Sequence, residues 1–259
     1  MFLGHYAVAF AAKRAAPGVS LGTFAFAVQF LDELWPILLL AGVEHVRVVP
    51  RRMAASHVEF VSYPISHSLL TAAAWGLAVG VLYLAFRRER RAAIVLGLCV
   101  LSHWFLDVPM HVPDLPLWPG SSTLVGAGFW RSVPLTFATD VGLLVVGLTI
   151  YMRSTRALDR FGRWGLWSVV ALLLLVFFAS VFLVPPPPPR ALAITVLGLW
   201  VFVPLMAWVD RHRRFIGGDN QTSARPIRST RSSSDAASST GVAPLTSMPS
   251  SSATHDTQP

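Results

Sequence analysis

The chain has 259 residues, 54% hydrophobic and 13% charged, with a mean hydropathy of +0.57. A soluble domain carries about 25% charged residues, so the composition excludes an ordinary soluble enzyme and points to a polytopic membrane protein. The formal charge of +8 is spread in short arginine clusters between apolar runs, which reads as membrane topology and argues against nucleic acid as a partner. The lone cysteine, Cys99, rules out an intramolecular disulfide and a cysteine-rich zinc site; it lies in an apolar run and reads as structural.

Residues 1–16 form a short apolar segment ending in Lys13 and Arg14. A signal peptide carries its charge before the apolar stretch, so this order is not that of one. The segment is also shorter than the ~20 residues a span needs. It predicts a short N-terminal helix, interfacial or packed into the bundle, with His5 either an interfacial group or a ligand.

Residues 21–43 are long enough to span and hold Gln29, Asp32, Glu33 and Pro36 mid-way. An aspartate at the centre of a lipid-facing helix costs about 2.5–3.5 kcal/mol on insertion scales. Asp32 and Glu33 must therefore face a bundle interior, be protonated, or meet a cation. Residues 44–65 read as a loop with Glu44, His45 and His57 solvated, and Glu59 close to the next motif.

The second span is expected over 66–86, with Ser66 as its cap and His67 in its first turn as a candidate ligand. Arg87 to Arg91 read as a cytoplasmic anchor. The third span, 92–111, carries His103, Asp107 and His111 at i, i+4, i+8, one helix face. Pro109 should kink or end that helix and leave His111 on the following loop.

Three further spans are expected over 133–152 (holding Asp140), 164–184 and 191–209. The 164–184 span is purely apolar and should face lipid or scaffold the bundle. The five prolines of 185–189 predict a stiff extended connector. Residues 217–259 are Ser-, Thr- and Pro-rich and predict a disordered cytoplasmic tail after a membrane domain of 1–216. The expected fold is all-α: a polytopic helical bundle of six transmembrane helices plus the short N-terminal helix.

Placing both termini in the cytoplasm puts thirteen basic residues in the inner segments and five in the outer ones, as the positive-inside bias requires. The same arrangement makes the second and third spans antiparallel neighbours. It brings His67, His103 and Asp107 together near the outer side, with Asp32 and His5 as the next candidates for the same metal.

Several short motifs recur in a known order: Gly4-His5, an acidic motif in the first hydrophobic span, Ser66-His67-Ser68-Leu69, and Ser102-His103 with Asp107, then Leu117-Trp118-Pro119. In this the chain resembles, over roughly residues 1–120, the inner-membrane-associated metal-dependent hydrolases that include the LexA-binding YdjM type. The resemblance implies His5, Asp32, His67, His103 and Asp107 as metal positions. Two places depart from the family pattern: Leu34 stands where a second acidic residue is usual, and Ser62 where a histidine is.

Three histidines and two carboxylates suit a divalent ion, zinc by donor type. Glu33, or Asp140 if it reaches the site, would serve as general base, and a lipid or phosphoester substrate would suit a site near the outer leaflet. Two other classes fit the same composition. An ion-coupled transporter would also bury Asp and His at mid-depth, although spans four to six carry no matching set. A non-catalytic scaffold would use these groups only to hold helices together.

Overall fold

Six helical stretches of the computed structural model are long and apolar enough to cross a membrane: Leu21–Leu40, Leu69–Arg87, Arg90–Met110, Val133–Ser154, Arg160–Phe182 and Pro189–Arg211. The structure describes residues 1–50, 52–182 and 187–216. In chain order the first five spans are α2, α4, α5, α6 and α7. The sixth is built from α8 (Pro189–Leu197), a 3-10 turn (Gly198–Val201) and α9 (Phe202–Arg211). The helical membrane bundle expected from the sequence is the fold the chain adopts.

The N-terminal helix α1 (Leu3–Ala15) is packed into this bundle rather than lying at its interface. It buries Leu3, Gly4, His5, Tyr6, Ala7, Ala9, Phe10, Ala12 and Lys13, which covers nearly every face. Small residues allow this. On α6, a side chain at Gly147 would meet the Ala7 carbonyl oxygen at 2.2 Å, so only glycine lets α1 and α6 approach so closely. The start of α1 has no local side-chain cap. Asp140 of α6 supplies one from across the bundle, its Oδ1 accepting from the N–H groups of Phe2 (3.2 Å) and Gly4 (2.9 Å). This satisfies backbone donors that would otherwise be stranded in an apolar interior.

The segment expected as a solvated loop is partly a hairpin. β1 (His45–Val48) pairs antiparallel with β2 (Val58–Ser62). Glu44, just before it, is fully buried rather than solvated. A one-turn helix α3 (Pro64–His67) follows, and Glu44 Oε1 accepts from the Ile65 and Ser66 N–H groups at 2.8 Å each. Ser66 is thus inside α3, and the cap of α4 is Ser68, which accepts from Thr71 N–H at 3.3 Å. His67 accordingly stands on α3 rather than in the first turn of the span.

Helix α5 ends at Met110, one residue past Pro109, as proline chemistry predicts. His111 is its C-cap, with its N–H bonded to the Asp107 carbonyl at 2.9 Å. A two-residue ladder of β3 (Leu115–Pro116) and β4 (Leu124–Val125) folds the next loop over this end, and Ala55 N–H bonds to the Trp130 carbonyl at 2.9 Å.

The opposite end is closed differently. There β5 (Thr155–Ala157) pairs with β6 (Arg213–Phe215). Lys13 Nζ lies 2.6 Å from Asp210 Oδ2 and donates to the Val19 carbonyl at 2.8 Å. Asp210 also accepts from Leu21 N–H (3.1 Å) and Tyr151 Oη (3.2 Å). The apolar α7 scaffolds the bundle, burying Leu166, Val169, Val170, Leu173, Phe177 and Val181 on one side. Of the proline run, Pro188 is extended (φ −51°, ψ 154°) and Pro189 opens α8. Pro185 and Pro186 lie outside the described residues, as does the expected tail, 217–259.

Candidate metal centre

Three elements bring histidines to one place. His103 rides on α5 one turn before Asp107, His111 caps the same helix, and His67 ends α3 beside them. All three are buried, as is Asp107. Helix α2 contributes Asp32, whose side chain keeps 28% of its surface exposed and so marks the mouth of the cluster.

The proton on each ring follows from its partner. His103 Nδ1 lies 2.6 Å from the Val28 carbonyl, which can only accept, so Nδ1 carries the proton. Ser66 Oγ donates to the Glu44 carboxylate at 2.6 Å and must therefore accept from His67 Nδ1 at 2.7 Å. His111 Nδ1 lies 2.9 Å from Asp114 Oδ1, and Tyr63 Oη donates to the same oxygen at 2.9 Å. Burial, and then Asp114 beside it, hold the Tyr63 phenol well above its usual range, so it stays a donor.

Each neutral ring therefore turns the lone pair of Nε2 inward, and each lone pair meets carboxylate oxygen. His67 Nε2 is 3.4 Å from Asp32 Oδ1 and 3.8 Å from Asp107 Oδ2. His103 Nε2 is 3.6 Å and 3.3 Å from the same two atoms. His111 Nε2 is 3.9 Å from Asp107 Oδ2. His103 Nε2 is buried without a hydrogen-bond partner among the described residues. Lone pair against carboxylate is repulsive unless positive charge stands between them, as a proton or as a cation.

A proton on His103 is one answer, since Asp32 and Asp107 stand 3.6 and 3.3 Å from its Nε2. The His5 ring stacks on His103 with centroids 3.6 Å apart and planes 10° from parallel. Two imidazolium rings that close would repel by about 5 kcal/mol at an effective dielectric near 20, so only one ring of the stacked pair would carry the proton. His5 Nε2 also lies 3.3 Å from Asp107 Oδ1, the oxygen that accepts from the Met1 nitrogen.

The donor set also fits a divalent ion. Ligands about 2.1 Å from a tetrahedral centre stand about 3.4 Å apart. The four separations joining the Nε2 atoms of His67 and His103 to Asp32 and Asp107 run from 3.3 to 3.8 Å. The donors fall into two overlapping triads, Asp32–His67–His103 and His5–His103–Asp107, which share His103. Every histidine of the inner set except His5 has its outer nitrogen held by a second group, the arrangement that orients metal-ligating imidazoles.

The YdjM inner membrane protein family matches residues 49–185, slightly more than half of the chain, including His67, His103, Asp107 and Asp140. The chain belongs to this family. No curated protein and no solved structure matches it. The YdjM match begins later and runs further than the motif resemblance over 1–120, so His5 and Asp32 precede it.

The structure thus brings all five expected metal positions, His5, Asp32, His67, His103 and Asp107, into one cluster. Neither expected base belongs to the two triads. Asp140 Oδ1 is occupied by the backbone of α1. Glu33 follows Asp32 on α2, about 100° around the helix, and is buried with its Oε2 unpartnered. Sequence reasoning missed Glu44, Ser66 and Asp114 as supports. It noticed His111 by spacing but left it out of the ligand set because of Pro109. The signals were local: Ser66 is adjacent to His67, and His111-x-x-Asp114 is an i, i+3 pair.

Proposed function

We propose that this protein is a membrane-embedded metal-dependent hydrolase whose divalent cation, zinc by donor type, is held by His67, His103, Asp107 and Asp32. The observation that carries this reading is the convergence of three imidazole Nε2 lone pairs on two carboxylates inside an apolar bundle. Such a cation would supply Lewis-acid chemistry, polarising a substrate oxygen and easing the deprotonation of water. The protein's part is to hold the donors ready. The Val28 carbonyl fixes the His103 tautomer, the Ser66–Glu44 relay fixes that of His67, and Asp114 fixes that of His111. Asp32, alone partly exposed in the inner set, stands where substrate and water reach the centre. Glu33 is the candidate proton acceptor beside it.

In this reading both termini lie in the cytoplasm of a bacterial inner membrane, and the centre opens to the outer side, where a lipid-derived phosphoester is available. The asymmetry of basic residues supports this orientation. A reporter fused at Gly120 should give an outer signal and one after Arg91 a cytoplasmic signal; the reverse pattern rules the orientation out. The chemistry is tested with purified full-length protein, zinc and a chromogenic phosphodiester. Hydrolysis should stop with a chelator, return with zinc, and fall at least 100-fold in Asp32→Asn. Turnover that ignores both chelation and Asp32→Asn would refute the hydrolase reading.

A further inference from the structure

A cavity of about 600 Å³ lies beside the metal centre, walled by the start of α6, the end of α7, the start of α8 and the segment around Ala55 to Val58. Its walls are largely apolar: Phe177, Val181, Leu192 and Trp130 stand among them. Two residues join it to the centre. Met1 lines the cavity and contacts Asp107 through its nitrogen, and the Trp130 ring packs 4.2 Å from that of His111.

One polar group in this wall is unexplained by the fold. Asp140 lines the cavity and is 1% exposed. Its Oδ1 is taken by α1, but its Oδ2 is buried with no hydrogen-bond partner among the described residues. A buried carboxylate oxygen left unpaired is costly, and such exceptions mark strain, chemistry or a missing donor. Here the oxygen belongs to a residue that lines a largely apolar cavity whose walls come from three membrane spans.

We propose that this cavity takes the single acyl chain of a membrane lipid, and that Asp140 Oδ2 accepts a hydrogen bond from a hydroxyl at the head of that chain. The volume falls in the ~300–1,000 Å³ range that holds one ligand of drug size, which suits one chain rather than two. The walls come from three membrane spans, and the hydroxyl would partner the one buried side-chain oxygen of the lining that has no hydrogen bond among the described residues. The metal centre then lies at the head end of the bound chain. The fate of the lipid rests on the hydrolase reading; its binding does not.

The probe is a lysophosphatidylglycerol carrying a photoreactive diazirine in its chain, added to the full-length protein in phosphatidylglycerol nanodiscs. Labelling should concentrate on the peptides containing Phe177, Val181 and Leu192. Filling the cavity with Ala179→Trp should cut that labelling about fivefold or more. Asp140→Asn, which keeps an acceptor for α1 but turns an amide donor to the cavity, should cut it to a similar degree. Labelling of those peptides no stronger than that of the exposed α4 residues Leu77 and Val81 would overturn the proposal, as would labelling indifferent to both variants. His103→Ala separates the two readings. Labelling retained in His103→Ala shows that the lipid site stands without the metal centre, and labelling in a parent protein that binds no zinc and hydrolyses no phosphoester keeps the lipid site and removes the hydrolase. Metal and hydrolysis without cavity labelling does the reverse.

Discussion

The two ends of the bundle both bury charge, and they do so in opposite ways. At the end closed by β5 and β6, Lys13 and Asp210 pair at 2.6 Å, and the donors around them find acceptors: the Val19 carbonyl takes Lys13, and Asp210 takes Leu21 N–H and Tyr151 Oη. At the other end, Asp107 takes the Met1 ammonium, but the carboxylates also face the Nε2 atoms of three imidazoles, and His103 Nε2 has no hydrogen-bond partner among the described residues. A satisfied cluster fastens helices together. The cluster at the other end is only partly paired, Asp107 with the Met1 ammonium, and its remaining donors are of metal-ligating type. The contrast distinguishes a fully paired cluster from one with donors to spare, using only donor and acceptor chemistry.

Breaking the satisfied end should have the largest effect on folding. Asp210→Ala strands the Lys13 ammonium, the Leu21 N–H and the Tyr151 hydroxyl together. Removing one partner of a buried pair costs about 3–5 kcal/mol. Thermal unfolding of the purified variant should show a fall in midpoint on the order of 10 °C, while the folded fraction keeps its metal affinity. A variant as stable as the parent would show that this end is not the fastening it looks like.

The support of the unsatisfied end should act on affinity instead. Glu44→Gln leaves the hairpin able to form but disturbs the relay through Ser66 that fixes the His67 tautomer. Changes to such outer partners cost about 10–100-fold in metal affinity, so zinc titration should show a loss in that range with little change in unfolding temperature. Equal zinc affinity in the two proteins would detach Glu44 from the site. The smallest effect belongs to a residue beside the site whose hydroxyl bonds, among the described residues, only Thr71. Ser68→Ala removes the cap of α4 and should cost about 1 kcal/mol of stability, leaving zinc affinity untouched.

Much of this was legible before the fold was known, and the reason differs by feature. The spans follow from hydropathy alone, because lipid leaves the backbone no alternative to helix. Asp32, His67, His103 and Asp107 stood out because ionisable groups are expensive among apolar neighbours. Pro109 announced the end of α5 through its missing N–H. What stayed hidden were groups whose role depends on distant backbone. Glu44 looks solvated in its polar segment, and only the turn into α3 brings Ile65 and Ser66 N–H onto its carboxylate. Asp140 looked like a candidate base, yet its Oδ1 caps a helix more than a hundred residues away in sequence. The burial of α1 was equally hidden, since its small residues matter only once Gly147 is known to face Ala7.

The central claim is that the charge awaited between the imidazoles and the carboxylates is a metal ion rather than protons. The most direct measurement is the metal content of the full-length protein purified without chelator, alongside His103→Ala prepared in the same way. His103 belongs to both triads, so its loss should dismantle each of them. The account predicts close to one zinc per folded chain in the parent and less than about a tenth of that in His103→Ala, with both inserted equally well in the membrane. A parent protein that binds no divalent metal even after zinc is supplied in excess would contradict it and return the cluster to a set of protonated ion pairs.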